Sequence, residues 1–280
     1  MEIQFGQILV PVDFTINTQV AIGKALSLSE PGNSVLHLLH VSSVSRKNFL
    51  GYNVFSKDNS ANGFARAENF IAAKMRSLKT TISAKRSDIH VMMHTVYDIN
   101  IEAAIIKKAM EIMPDIILLA KKSHHSLLPF LNTVVPTRIA QQTQIPVLTS
   151  KPGSIDHGIK TIVVPIGKTF PQKKIDIINA LRRRSRLNIR LLAFREDEDS
   201  NQIPGILIHV YRLLRQGALS DIQYETVAGK NKAKAILSYC EKVDADLLIV
   251  TPESETKIGW LNKHISDVMP ASSKTQVLAI

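Results

Sequence analysis

The sequence predicts an α/β protein of two domains, each a five-stranded parallel sheet covered by helices on both faces. Short runs of β-branched and aliphatic residues alternate with longer segments of helical periodicity, which is the pattern of strands joined by crossover helices. Segments of the first half recur in the same order in the second half. With 280 residues, 45% of them hydrophobic, the chain can bury two cores of ordinary size.

The strands of the first half are short and almost entirely apolar, as expected of strands that are buried on both faces. They are predicted at residues 7–12, 34–40, 90–95, 116–120 and 147–149.

The segments between these strands have an apolar residue every three or four positions and are predicted to be helical. Asp98 and Asn100 are capping residues directly before the third of these helices. The helices are predicted at residues 18–29, 65–84, 101–113 and 137–142. Residues 43–63 are rich in Ser, Asn and Gly and are predicted to form a loop over the carboxyl ends of the strands, as a lid or as an ordinary surface loop.

An internal repeat divides the chain. Residues 8–11 match residues 162–165, since both are apolar runs closed by proline, and residues 115–119 match residues 246–250. The second half keeps this order of elements with a shorter connection between its second and third strands. We therefore predict a first domain at residues 1–152 and a second, more degenerate domain at residues 153–280, with a turn-forming linker at residues 151–153.

Composition narrows the function classes. The 35 Lys and Arg residues exceed the 24 Asp and Glu residues by 11, but no aromatic or recognition motif accompanies the positive charge, so we do not expect nucleic-acid binding. The arginines at 182–184 and 186 follow an apolar helical segment, where cations complement the helix dipole. The single cysteine, Cys240, excludes an internal disulfide. Because no signal peptide and no membrane-spanning apolar run are visible, we expect a cytoplasmic protein without membrane contact.

Four segments together resemble the universal stress protein family: residues 8–15 (ILVPVDFT), 38–41 (LLHV), 114–118 (PDIIL) and 145–148 (IPVL). The resemblance extends over nearly the whole chain and both halves, as a tandem two-domain member. It implies Rossmann-like domains of the adenine nucleotide alpha hydrolase type that pair through their last strands. It also implies that the two halves of this chain pair with each other. A homodimer, and ATP or another adenine nucleotide bound in the first domain, are further possibilities that the resemblance raises.

The resemblance assigns the adenine and ribose contacts of the first domain to Pro11, Asp13 and Val41. The residues themselves leave a second interpretation of Asp13 open, in which it caps the helix that follows by accepting amide hydrogen bonds. In the second half, Gly167 stands at the position of Asp13, so we expect no nucleotide site there.

The phosphate side of the same site departs from the family pattern. Nucleotide-binding members carry a glycine-rich sequence after the fourth strand, in which backbone amides approach the phosphates. The corresponding residues here are Ala120, Ser123, Thr133 and Val134, and none of them is glycine. The second half also lacks these glycines, with Thr251, Ser254, His264 and Ile265. Two interpretations stay open for the first domain: a weakened nucleotide pocket in which Lys121, Lys122 or the Thr133 hydroxyl holds phosphate, or a pocket that binds no triphosphate.

No motif nominates a nucleophile, a general base or a metal ligand set. His37 and His40 lie three apart on a predicted strand, which points them to opposite faces, and His124 and His125 lack a carboxylate or cysteine at ligand spacing. We therefore expect a non-enzymatic, regulatory stress-response protein with weak or absent adenine-nucleotide binding in its first domain, and no cofactor is assigned. The alternative is an ATP-binding protein with slow ATPase or nucleotide-transfer activity.

Overall fold

The computed structural model describes residues 4–42, 60–120, 134–155, 157–195, 204–216, 220–228, 231–252, 257–258, 263–265, 269 and 272–280. By contacts between Cα atoms the chain separates into two compact units. Of the described residues, one unit contains those from 5 to 119 together with 134 and 135, and the other contains those from 136 to 280 together with 4 and 120. We call them the first unit and the second unit.

The strands of the first unit are parallel and follow the order β3-β2-β1-β4. They are β1 (Gln7–Pro11), β2 (Val35–Ser42), β3 (His90–Tyr97) and β4 (Ile116–Ala120). Leu9 lies opposite His37 of β2 and Ile117 of β4, so β1 is the centre of the sheet.

The helices described between these strands are α1 (Ile16–Leu28), α2 (Ser60–Lys85) and α3 (Ile101–Ile112). Crossovers between parallel strands are right-handed. With this strand order, α1 and α2 therefore cover one face of the sheet and α3 covers the other. Asn100 caps α3 by accepting a hydrogen bond from the Ala103 amide, as its position in the sequence predicts.

The second unit contains a six-stranded sheet of order β5-β12-β9-β6-β7-β8. Its strands are β5 (Val147–Ser150), β6 (Thr161–Ile166), β7 (Asn188–Arg195), β8 (Asp221–Ala228), β9 (Leu247–Val250) and β12 (Gln276–Ala279). A separate two-stranded ribbon is formed by β10 (Lys257–Ile258) and β11 (Lys263–His264). Within the larger sheet only β5 runs antiparallel to its partner, β12.

The helices described in the second unit are α4 (Pro136–Thr143), α5 (Gln172–Arg182), α6 (Gly205–Arg215) and α7 (Lys232–Lys242). A single 3-10 turn, Pro152–Ser154, occupies the predicted linker. Gly153 packs directly on the backbone of Ser272, so the linker is closely packed. The boundary at residue 152 stays a prediction, since α4 and β5 group by contacts with the second half.

Matched aspartates begin the same strand pair in both halves. Asp115, before β4, accepts a hydrogen bond from the Gln7 amide at the start of β1 (2.7 Å). Asp246, before β9, accepts hydrogen bonds from the Lys160 and Thr161 amides at the start of β6 (3.0 and 2.8 Å). These carboxylates satisfy amides at strand ends, which otherwise lack a partner in the sheet.

The predicted fold class is confirmed, with two α/β units built on largely parallel sheets. Element ends differ from the sequence prediction by a few residues: α1 begins two residues earlier, at Ile16, and β2 and β3 each extend two residues further, to Ser42 and Tyr97. Residues 43–59 of the predicted loop lie outside the described residues, but its last four residues are helical, since α2 begins at Ser60, five residues earlier than predicted. Among the described residues, no helix combines the length and apolar character that a membrane span requires.

Candidate functional site

The residues predicted to contact adenine and ribose lie at the carboxyl edge of the first sheet. Pro11 is the last residue of β1 and pairs with Leu39 of β2, and the Val12 amide extends this pairing by donating to the Leu39 carbonyl (2.8 Å). Val41 is the residue before the end of β2. The structure therefore brings Pro11, Asp13 and Val41 to one edge, where open α/β sheets bind ligands.

Asp13 closes the turn between β1 and α1. Its Oδ1 accepts hydrogen bonds from the Thr15 amide (3.0 Å), the Thr15 hydroxyl (2.7 Å) and the Thr18 hydroxyl (2.8 Å). The Asp13 amide donates to the Thr18 hydroxyl oxygen (3.0 Å). Thr15, rather than Asp13, is the N-cap of α1, since its hydroxyl accepts from the Asn17 amide. The carboxylate thus accepts an amide hydrogen bond at the start of α1, as its position allows, but it acts by holding the capping residue Thr15.

Phe14 and His40 cover the same edge. Phe14 has a left-handed backbone, with a φ of 59°, which is unfavourable for a bulky residue. Its ring stacks on His40 with a centroid separation of 4.4 Å and an angle of 29° between the rings. His40 Nδ1 lies 2.9 Å from the Val12 carbonyl oxygen and donates to it, because a carbonyl can only accept. The strained turn is therefore held by ring stacking and by a histidine hydrogen bond.

The phosphate side is described only in part. Ala120 is the last residue of β4, and Val134 lies partly exposed before α4. Ser123 and Thr133 lie outside the described residues, as do Lys121, Lys122, His124 and His125.

A buried carboxylate lies next to Val134. Glu102, in the first turn of α3, has 6% of its surface exposed, and its Oε2 accepts a hydrogen bond from the Val135 amide (2.6 Å). The backbone amide beside a predicted phosphate contact is therefore already bonded to a protein carboxylate. Sequence reasoning missed this contact because it joins residues 33 positions apart.

A histidine pair lies within the first sheet. His37 of β2 is 5% exposed, with Nε2 2.6 Å from Gln7 Oε1 and Nδ1 3.0 Å from His94 Nε2 on β3. Burial, together with the positive charge of His94, His90 and Lys108, lowers the pKa of His37 to about 4, and burial also lowers the pKa of His94. Within the described part of the chain, no group of three or more His, Cys, Asp or Glu side chains has the arrangement of a metal site.

The corresponding edge of the second unit has different chemistry. Gly167 follows β6 at the position matched to Asp13, as the sequence predicts. Lys174 of α5 is 2% exposed, and its ammonium donates to the Pro165 carbonyl at the end of β6 (2.7 Å). Phe194 of β7 contacts the Lys232 ammonium at 5.6 Å from the ring centroid. A buried cation here was not anticipated from the sequence.

Comparison with models of known protein families shows to which family the chain belongs. The family model described as "Universal stress protein family" matches residues 4–151. The chain belongs to this family. The resemblance seen in the sequence segments is thereby confirmed, and membership supports a role in the stress response. A search of curated protein sequences finds no match to this universal stress protein.

Solved structures with the same fold cover nearly the whole chain. A universal stress protein from Archaeoglobus fulgidus DSM 4304 has a TM-score of 0.62 and 13% identity, covering 99% of this chain and 97% of that one. A universal stress protein from Pseudomonas aeruginosa UCBPP-PA14 has a TM-score of 0.55 and 13% identity, with 99% and 93% covered. The cytoplasmic domain of a prokaryotic cation chloride cotransporter has a TM-score of 0.55 and 11% identity, with 98% and 94% covered. At these identities the likeness shows the fold alone.

Proposed function

We propose that this universal stress protein is a non-enzymatic regulatory protein of the cytoplasm whose first domain gains no affinity from a nucleotide's phosphates. It acts through protein contacts, and an adenine nucleotide, where one binds, is held by its base and ribose only. The pairing of the two domains with each other and the formation of a homodimer stay predictions from the family resemblance.

The hydrogen bond between Glu102 and the Val135 amide carries this proposal. Phosphate sites of this kind work through backbone amides that are free to donate to the anion. Here the amide beside Val134 donates to a carboxylate, and that negative charge repels a phosphate brought to the same place. The missing glycines add a second obstacle, because a Cβ keeps an anion away from the backbone.

The hydrogen bonds of Asp13 also support weak or absent nucleotide binding. Its Oδ1 already accepts three hydrogen bonds from Thr15 and Thr18, so a ribose hydroxyl must compete with groups that cap α1. Ordering α1 through these contacts gives Asp13 a structural role that does not depend on a ligand.

Calorimetric titration of the full chain with ATP, ADP and AMP tests the proposal. We expect ATP and ADP to bind no more tightly than AMP, because the added phosphates make no favourable contact and the Glu102 carboxylate repels them. The variant Glu102→Gln keeps an oxygen that accepts from Val135 and removes the repulsion, so it should bind ATP more tightly than the native chain and bind AMP with unchanged affinity. Asp13→Asn, which keeps a hydrogen-bond acceptor for Thr15 and Thr18, reports on ribose contact without removing the turn.

Tighter binding of ATP than of AMP by tenfold or more in the native chain would contradict the proposal and indicate a phosphate site. Release of inorganic phosphate from ATP that Asp13→Asn abolishes, with unfolding behaviour unchanged, would instead establish the slow ATPase predicted as the alternative.

A further inference from the structure

One face of the first sheet carries side chains that bind soft metal ions, on two neighbouring strands. His37 of β2 lies directly opposite Met92 of β3, and His94 lies two residues further along β3. Alternate residues of a strand point to the same face, so the three side chains share one face. Lys108 and Glu111 of α3 lie close enough to His94 to shift its pKa, so this is the face beneath α3. Two imidazoles and a thioether are therefore grouped at one place.

The two histidines point ring nitrogens at each other. His37 Nδ1 lies 3.0 Å from His94 Nε2, and the ring planes are inclined by 18°. The ring centroids are 5.3 Å apart, much further than the nitrogens, so the rings meet end to end rather than face to face. In the metal-free protein a proton lies in this contact. A cation that binds imidazole can replace that proton, because each nitrogen then directs a lone pair at it.

Gln7 selects the form of His37 that binds a metal. Its side-chain oxygen can only accept, so His37 Nε2, 2.6 Å away, carries the ring proton and Nδ1 keeps its lone pair. Histidines that bind metals in proteins donate their other N–H to an oxygen in the same way, which orients the ring and raises its basicity. When a cation replaces the shared proton, His94 carries its own proton on Nδ1, so both rings stay neutral and no net proton is released.

The second unit has an ion-pair network at the corresponding place. Its residues at the three positions, matched by strand register, are Arg190, Gln223 and Glu225. Arg190 pairs with Asp221 (3.4 Å) and Glu225 pairs with Lys242 (2.9 Å). All three positions differ together between the two halves, and the fold forms in both. The fold itself therefore does not require two histidines and a methionine here.

The donors and their charges favour copper(I) over divalent ions. A thioether is a soft ligand that selects copper(I), and imidazole also suits copper. Zinc in structural sites takes four ligands in a tetrahedron, and the described residues bring no third His, Cys, Asp or Glu side chain into position. The Lys108 ammonium lies near both histidines and repels a cation, but it is paired with Glu111 at 2.7 Å. The remaining repulsion is half as large for a singly charged ion as for a dication.

We infer that His37 Nδ1 and His94 Nε2 bind copper(I) between them, with the Met92 thioether as a third ligand. Copper(I) accepts two nitrogen ligands nearly in a line, which is how the two rings already face each other. The nitrogens must separate from 3.0 Å to about 4 Å, twice the length of a metal–imidazole bond. Because β3 is the edge strand of the first sheet and His94 is only half-buried, the His94 ring has room to move outward.

Competition between the full chain and bicinchoninate, a coloured copper(I) chelator, tests the inference in oxygen-free, reducing buffer. The native chain should withdraw copper(I) from the chelator complex. His94→Gln should weaken binding by at least about tenfold, since loss of even a supporting partner of a metal ligand costs that much. The matched control is His90→Gln, which removes an exposed histidine from the same face of β3, on the side to which His37 Nδ1 does not point, and it should bind as the native chain does.

A second pair of variants tests the thioether. Met92 and Met93 are 41% and 40% exposed and point to opposite faces of β3. Met92→Leu should weaken copper(I) binding several-fold, whereas Met93→Leu should leave it unchanged. Equal effects of the two substitutions would remove Met92 from the site.

NMR spectra of the histidine rings locate the ion without any substitution, since copper(I) is diamagnetic. Its addition should shift the ring signals of His37 and His94 and leave those of His90 and His157 in place. Shifts confined to other histidines, such as His124 and His125, overturn the inference. So do the absence of copper(I) binding by the native chain and an unchanged affinity in His94→Gln. Tighter binding of zinc(II) than of copper(I) overturns the choice of metal.

Discussion

Protonation of His37 should destabilise the folded protein. Both ring nitrogens are engaged, Nε2 with Gln7 Oε1 and Nδ1 with His94 Nε2. A neutral ring serves both contacts when Nε2 carries the proton and Nδ1 accepts from His94. Adding a proton at Nδ1 removes the acceptor and places a charge among His94, His90 and Lys108.

The magnitude follows from the lowered pKa. On folding, the pKa of His37 falls from 6.5 to about 4, so the unfolded chain binds the proton more tightly than the folded chain. The stabilising contribution of neutral His37 to the free energy of unfolding is therefore fully present at neutral pH, and it is lost as the pH falls from 6.5 toward 4. Because proton binding and folding are linked, the free energy of unfolding falls by about 2 kcal/mol by pH 5 and by about 3 kcal/mol at the acid limit. His94, whose pKa is also lowered, contributes in the same direction.

Urea unfolding of the native chain and of His37→Gln between about pH 7.5 and pH 5 measures this loss. The variant keeps polar atoms in the position of the ring and cannot titrate. The difference in unfolding free energy between the two proteins should shift by about 2 kcal/mol over that range, against the native chain at the acid end. Glu111, whose pKa is lowered by Lys108, adds to the acid sensitivity of both proteins and cancels in the comparison.

A parallel pH dependence in the two proteins would refute this reasoning. So would an NMR titration in which His37 changes protonation at or above its ordinary value of 6.5, because burial would then be costing the charged ring nothing.

Three further predictions concern single positions. Gly153→Ala should destabilise the second unit by about 1–3 kcal/mol in urea unfolding, because its Cβ would lie 2.2 Å from the Ser272 carbonyl oxygen, and a change below about 0.5 kcal/mol would show that the two backbones are not in contact. Gly23→Ala should stabilise the first unit by about 0.5–1 kcal/mol, with no change in stability as the contrary result. Cys240 is 2% exposed and burial raises the pKa of its thiol to about 12, so the native protein should react with a thiol reagent only in denaturant, and rapid reaction in buffer would contradict its burial.

Several elements could be predicted closely because their signals are local. Residues 116–120 form β4 with the bounds expected from the sequence, since an uninterrupted apolar run after Asp115 has no alternative but a doubly covered strand. Asn100 was identified as a helix cap from its type and position. The sequence predicts the start of α1 two residues too late, because the turn before it depends on hydrogen bonds that the Asp13 carboxylate accepts and on the left-handed backbone of Phe14.

Part of the candidate site could likewise be predicted from the sequence, and part of it could not. The order of the strands brings Pro11, Asp13 and Val41 to one edge, and the sequence could identify that edge because the carboxyl ends of parallel strands coincide. The bond between Glu102 and the Val135 amide could not be foreseen, since it requires the packing of α3 against a segment 33 residues away.

The sequence by itself determined the fold class, the family and the edge of the sheet at which a nucleotide would bind, because periodicity, turn residues and family segments are recorded position by position. Tertiary structure alone decided that Glu102 engages the amide beside a predicted phosphate contact, and that His37 lies buried against His94. Each of these depends on side chains brought together from distant parts of the chain, and such contacts are set by strand register and helix packing rather than by local pattern.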